Sequence, residues 1–354
     1  MSDLVALGPA DAEARWIGIR RHQALLAVAG LVLAGVGLLA RDSCALEIAV
    51  GLALLGLAIP VGGGATAGEV VATALRYVAR SRWSSLAIRE FNGDVLLFAP
   101  HDVAFRAYEL DHRGRLDLCG RDIALAESLI ALVDAASAAS QHQHVSQHVT
   151  RRGALATTML TLPPSTSPPE GWRLRNSLAG TSVHLADESS GEFYERFSYL
   201  RAGPEVLRIF RVADFSSVPA SHSLLEHMLR APVDVDVAVH VDVIAGAKAQ
   251  RMAARAVHQV RSDEVTASGA GFRRSARASR GFERLAQREV LVANGRALVR
   301  LGVFVVVCAS SLEQLHRDSA MLWRRAHDGG LRLERGWGRQ LEWFRAQLPG
   351  GPGW

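Results

Sequence analysis

Polar and apolar positions are distributed unevenly along this chain. Two apolar runs, Ala24 to Ala40 and Ala45 to Val61, are separated only by Arg41-Asp42-Ser43-Cys44. Seventeen residues of helix rise about 25 Å, slightly short of a ~30 Å hydrocarbon core, so each run needs help from its flanks to span a bilayer. Trp16, Ile17, Arg20 and Arg21 offer that help before the first run, and Gly62 to Ala67 after the second, ahead of the first acid at Glu69. The pattern predicts a transmembrane helical hairpin over 22–62, preceded by a cytoplasmic tail, 1–21. Arg15, Arg20 and Arg21 before it and Arg76, Arg80 and Arg82 after it predict a multi-pass inner-membrane protein with both termini cytoplasmic. Glu47, one turn into the second run, reads as a headgroup-level carboxylate rather than an intramembrane site. A cleaved signal peptide and a buried hairpin of a soluble protein are the competing readings.

Beyond the hairpin the periodicity alternates between strand and helix. Ala65 to Arg82 reads as an amphipathic helix continuing from the second span, with Val70, Val71, Ala74, Leu75 and Val78 on its apolar side. Leu86 to Phe91, Asn92-Gly93 and Val95 to Phe98 form a hairpin signal, with a further strand over Val103 to Leu110. A helix follows at Ile123 to Ala138, then strands at Gln143 to Thr150 and Ala156 to Leu162. The segment Pro163-Pro164-Ser165-Thr166-Ser167-Pro168-Pro169 predicts a disordered surface loop. Strands near Phe197 to Leu200 and Val206 to Val212 precede a helix at Ser223 to Arg230. Val233 to Val243 places Val on every odd position, which predicts a strand with one face buried. Helices at Ala245 to Val265 and Phe272 to Ala293, an apolar central strand at Ala297 to Cys308, a helix at Leu312 to Arg325, a short strand at Leu331 to Leu333 and a last helix at Arg339 to Leu348 complete the order. The predicted class is α+β with ferredoxin-like elements, helices on one side of a sheet. Its parts are a connecting helix, 63–83, and two α+β halves, 84–200 and 201–350.

Composition narrows the chemistry. The chain has 354 residues, 40 Lys and Arg against 35 Asp and Glu, and a net charge of +5, a balance suited to anionic lipid or an acidic partner. Lys248 is the only lysine, and it lies between Ala247 and Ala249, so no Walker A loop exists. Gly62-Gly63-Gly64, Gly269-Ala270-Gly271 and Gly336-Trp337-Gly338 lack the strand-to-helix context of a dinucleotide cradle. Cys44, Cys119 and Cys308 are dispersed, which argues against a disulfide framework or a cysteine zinc site.

Val233, Glu289, Gly295, the strand at Ala297 to Cys308, Ser310-Ser311-Leu312-Glu313-Gln314-Leu315 and the terminal Gly338-Arg339-Gln340-x-x-x-Phe344-x-x-x-Leu348-Pro349 together resemble the N-terminal domain of type IV secretion (conjugation) ATPases. A PrgI-type two-helix membrane segment ahead of such a domain resembles fusions in actinobacterial conjugation-like systems. The sequence stops at Trp354, where the ATPase domain of those enzymes would begin. The resemblance implies a membrane-anchored, non-catalytic assembly subunit. Its partners would be the lipid bilayer, a separate secretion ATPase, and further copies or other subunits of a membrane complex.

Three polar constellations are the remaining candidates for chemistry. His142, His144 and His148 share one strand face, and Asp234, Asp236, His240 and Asp242 share another; each could line a metal or simply face solvent. Arg273, Arg277, Arg280, Arg284 and Arg288 fall within a stripe of about 80° on one helix. That stripe is the predicted partner-binding surface, for an acidic protein or headgroup layer, with nucleic acid not contacted directly because stacking aromatics are absent from it. No residue is assigned as catalytic, cofactor-binding or metal-binding, and the reading is not an enzyme. Two alternatives stand beside it: a subunit resembling the two-helix E component of type VII secretion, and a membrane-tethered metal-dependent enzyme using the His or Asp/His faces.

Overall fold

A computed structural model describes residues 15–16, 19–20, 27–32, 50, 52–54, 56, 60–61, 65–79, 83–86, 88–91, 95–98, 103–110, 143–152, 155–169, 172–175, 191–215, 228–269 and 276–348. Two compact units emerge, one built on Asp11–Arg82 with Trp337–Arg339, the other on Trp83–Gly336 with Gln340–Trp354.

The first unit corrects the expected membrane hairpin. Among the described residues no helix is long and apolar enough to cross a membrane. The physical reason lies in the flanks. Strand β1 (Arg15–Trp16) pairs with β2 (Ile19–Arg20), and β3 (Pro60–Val61) pairs with β4 (Ala65–Thr66). The described residues of the segments needed to lengthen two runs of about 25 Å are therefore extended ribbon instead of helix, up to Thr66. Pro60 lacks the N–H a helix would use. The multi-pass inner-membrane location predicted from that hairpin is corrected with it. In the second run residues 50, 52–54 and 56 are helical, and positions 24–26, 33–40, 45–49, 51, 55 and 57–59 lie outside the described residues. Helix α1 (Ala67–Ala79) starts afresh after the second ribbon rather than continuing a span, and Val71, Leu75 and Val78 on its expected apolar side are exposed.

The second unit is α+β, built on one large antiparallel sheet. Its strands are β5 (Trp83–Leu86), β6 (Ile88–Phe91), β7 (Val95–Phe98), β8 (Val103–Leu110), β9 (Gln143–Arg152), β10 (Leu155–Leu162), β11 (Trp172–Arg175), β12 (Gly191–Glu195), β13 (Leu200–Ala202), β14 (Glu205–Phe215), β15 (Val235–Ile244), β16 (Leu298–Ala309) and β17 (Leu331–Arg335). They lie in the order β5-β12-β13-β14-β16-β15-β9-β10-β8-β7-β6, with β11 added to β8 and β17 to β14. A bulge between Val212 and Asp214 accompanies the pairing of β14 with β17. Helices α2 (Gly246–Gly269) and α3 (Ala276–Ala293) form a hairpin inserted between the neighbours β15 and β16; α4 (Leu312–Asp328) and α5 (Gln340–Gln347) follow.

Alternation along the central strands creates two cores. Val235, Val237, Val239, Val241 and Val243 face one side with Val303, Val305, Val307, Leu160 and the α4 residues Leu315, Leu322 and Ala326. Ala238, Phe304, Val306 and Cys308 face the other, with Leu207, Ile209, Phe193 and the α5 residues Leu341, Trp343, Phe344 and Ala346. Helices therefore cover both faces of the sheet, where the sequence pattern predicted one. For the same reason all ten residues of β15 are buried, although its alternation reads as half-exposed.

The Pro-rich segment is corrected as well. Residues 163–169 are described and partly buried, held by a turn from Thr166 N–H to Pro163 O (2.9 Å) and by Arg106 Nη1 donating to Pro164 O (2.8 Å). The predicted helix at Ile123 to Ala138 lies outside the described residues, as does most of the one at Ser223 to Arg230.

Candidate functional site

Two of the three polar constellations become one. Strand β9 lies beside β15 in a register that pairs His144 with Asp242, Ser146 with His240 and His148 with Ala238. On the other side β16 sets Arg300 opposite Asp242 and Gly302 opposite His240. All these side chains point to the sheet face that α5 covers. The His240 imidazole makes an edge contact with Phe304 at 5.9 Å between ring centroids. Asp236, on the same face, is buried near Cys308 Sγ (3.9 Å). His142 lies outside the described residues, and Asp234 precedes the strand.

A hydrogen-bonded chain runs inward from the strand ends. Arg300 donates through Nε (3.1 Å) and Nη2 (2.7 Å) to Asp242 Oδ2. His144 Nδ1 lies 2.6 Å from Asp242 Oδ1, and its Nε2 lies 3.4 Å from His240 Nδ1. His240 Nε2 donates to the Gln347 carbonyl of α5 at 3.1 Å. That carbonyl can only accept, so the proton of neutral His240 sits on Nε2 and its Nδ1 is an acceptor. His144 Nε2 faces that acceptor and its Nδ1 faces the carboxylate, so the ring bridges Asp242 and His240.

Burial works against the Asp242 carboxylate, yet the hydrogen bonds and charges of His144 and Arg300 outweigh it and hold the pKa below the ordinary range. His148 is pushed down to about 3, by burial first and by the charge of His144 second. His240 is pushed well below 6.5, by burial, then by His148 and His144, against the opposing hydrogen bond to Gln347 and the Asp242 charge. Both are neutral at pH 7.

The arrangement suggests fastening rather than turnover. Ser146 Oγ is 3.1 Å from His148 Nε2, the spacing of a nucleophile and base, but Ser146 is fully buried and also bonds the Thr161 hydroxyl. No group of three or more His, Cys, Asp or Glu among the described residues is arranged to hold a metal ion. What the network does hold is the end of α5. The start of α5 is held by two more buried polar groups: Gln340, from the terminal pattern behind the resemblance, and Glu195, which the sequence reading did not single out. Glu195 Oε1 accepts from Leu341 N–H (2.9 Å), while Gln340 Oε1 accepts from Ile209 N–H (2.8 Å) and its Nε2 donates to Gly336 O (2.7 Å).

The residues behind the sequence resemblance occupy positions with structural roles. Gln340, Phe344 and Leu348, four apart, form the buried face of α5. Ser311 caps α4 by accepting from Gln314 N–H, Leu315 is fully buried, and Gly295 makes the turn into β16 at φ 87°.

The third constellation lies on the α2–α3 hairpin. A core of Ile244, Ala249, Ala253 and Val292 fixes its base to the sheet, and beyond that each helix has the other as its principal neighbour. Helix α2 alone is about 36 Å long. From Gly246 to Ala293 the arm holds ten Lys and Arg against four Asp and Glu, a charge of +6; the whole chain is +5, so the rest carries −1. Arg284 is exposed and Arg288 half-buried, Arg277 and Arg280 share their stripe by helical register, and Arg273 lies outside the described residues. Helix α2 adds a basic face that the sequence reading did not single out: Lys248, Arg251, Arg255 and His258 are exposed.

The second unit is thus an α+β domain with a large antiparallel sheet, a polar-latched terminal helix and a basic helical arm. No protein-family profile matches the chain, and no curated protein is significantly similar to it.

Proposed function

We propose that this protein is a non-enzymatic assembly subunit of a type IV secretion- or conjugation-like machine, which docks a separate ATPase or further copies of itself through its basic helical arm. The observation that carries the reading is the arm: two helices of 24 and 18 residues, packed on the sheet only at their base, which together with the residues that link them bear a charge of +6. A long solvated hairpin adds little to the core that folds the domain. Concentrated single-sign charge on such an element suits capture of an oppositely charged partner. The machine and the motor are what the sequence resemblance implies.

The topology supplies a clean test. Ile244 and Leu298 face each other across β15 and β16, so Gly246 to Arg296 can be replaced by a short Gly-containing turn without disturbing the ladder. The armless chain should lose only the helical circular dichroism of the arm, keep its urea midpoint, and lose salt-sensitive recovery of the motor or of tagged copies. Undiminished recovery by the armless chain would overturn the proposal.

A further inference from the structure

We infer that the arm inserts into an acidic protein cleft that contacts both of its basic faces, with Arg288 as the anchor that receives a partner carboxylate. The inference rests on the docking reading above and specifies the chemistry of the occupant.

Three observations carry it. First, the two basic faces point apart. On α2 the buried and half-buried residues Ala249, Ala253, Ala256, Val257, Val260 and Glu264 lie within an arc of about 100°, and Lys248, Arg251, Arg255 and His258 occupy an arc of about 80° on the opposite side. On α3, Phe282, Leu285, Ala286, Glu289 and Val292 turn inward while Arg284 lies on the outward side. A flat anionic layer would meet one such face; a cleft meets both.

Second, Arg288 lacks a counter-charge. Its Nε is buried without a hydrogen-bond partner, and no ion pair reaches it among the described residues. Burial lowers its pKa with no acid to offset the effect. A guanidinium in this state gains most from a carboxylate, which accepts its fork with two parallel bonds.

Third, apolar side chains stand exposed among the arm's charges: Met252, Val265 and Val290 at 38, 67 and 59 %. Met is enriched at protein interfaces. Single-stranded nucleic acid would call for aromatic platforms, and Phe282, the one phenylalanine among the arm's described residues, turns inward, away from Arg284.

The test uses the full chain and three anionic probes at low salt: poly-L-glutamate, a random-sequence 20-base-pair DNA duplex and phosphatidylglycerol vesicles. Poly-L-glutamate should bind most tightly and be released as salt rises. Arg288→Ala should weaken that binding about tenfold or more, Arg288→Lys should restore only part of it, and Arg251→Ala with Arg255→Ala on the other face should weaken it independently. Circular dichroism establishes that each variant is folded. Tighter binding of the duplex or the vesicles, no binding of polyglutamate, or equal binding by the Arg288 variants would overturn the inference. If polyglutamate fails while the armless chain still loses its partner, only the chemistry of the occupant is wrong and the docking function stands.

Discussion

Acidification should unfasten the histidine network, and His148 shows by how much. Its pKa falls from 6.5 to about 3 in the folded chain because the ring is buried beside Ser146, His240 and the charge on His144. A base with a depressed folded pKa binds its proton more readily in the unfolded chain. The stability it contributes is therefore full above pH 6.5 and lost as the pH falls toward 3. At ~1.4 kcal/mol per pH unit, His148 alone should remove about 2 kcal/mol by pH 5 and about 5 kcal/mol by pH 3. His240 is displaced in the same direction, so the pair limits the slope to roughly 2.7 kcal/mol per pH unit. Asp242, held ionised by His144 and Arg300, adds a loss in the same direction below pH 3.8. Against a typical stability of 5–15 kcal/mol these are large terms. Urea unfolding at pH 7 and pH 5, for wild type and His148→Gln, isolates the effect, because glutamine keeps an acceptor for Ser146 but cannot titrate. The wild type should lose about 2 kcal/mol more than the variant between the two pH values. Equal losses would show that His148 is protonated at no cost and that its burial has been misjudged.

Val305→Asp would place an unpaired carboxylate in the core between the sheet and α4, and should abolish cooperative folding in a thermal melt. Gln340→Ala strands the buried Ile209 N–H and Gly336 carbonyl and should lower the urea-derived stability by about 1–3 kcal/mol. A Cβ at Gly336 would sit 2.7 Å from Trp343 Cε3, so Gly336→Ala should also destabilise, visible as a shift in tryptophan fluorescence and in Tm. Replacing Arg284, exposed on α3, by Ala should change the urea midpoint little while weakening assembly, since an exposed charge contributes under ~1 kcal/mol.

Strong local periodicity made much of the α+β unit legible in the sequence. The hairpin Ile88–Phe91 with Val95–Phe98 follows from Asn92-Gly93, and β16 from twelve nearly uninterrupted apolar residues. Helix α4 follows from its spacing and its Ser311 cap. Apolar length alone misled at the N-terminal runs, because a run of 17 residues depends on its flanks, and Trp16, Val61 and Ala65 pair as strands. The even face of β15 read as half-exposed because alternation reports only that the two faces differ; the cover came from α5, about a hundred residues later in the chain. The same limit governs the candidate site. Each histidine or aspartate face could be placed on a strand from spacing alone, but their union required β9 and β15 to be neighbours in one register, a long-range pairing that no local pattern encodes. Arg300 and the Gln347 carbonyl carry no signal of their own and acquire their roles only through that neighbourhood. The arginine stripe on α3 was legible because a helix sets its own faces. The exposed basic face of α2 and the missing counter-charge at Arg288 depend on what packs against the helices, and tertiary structure alone decides that.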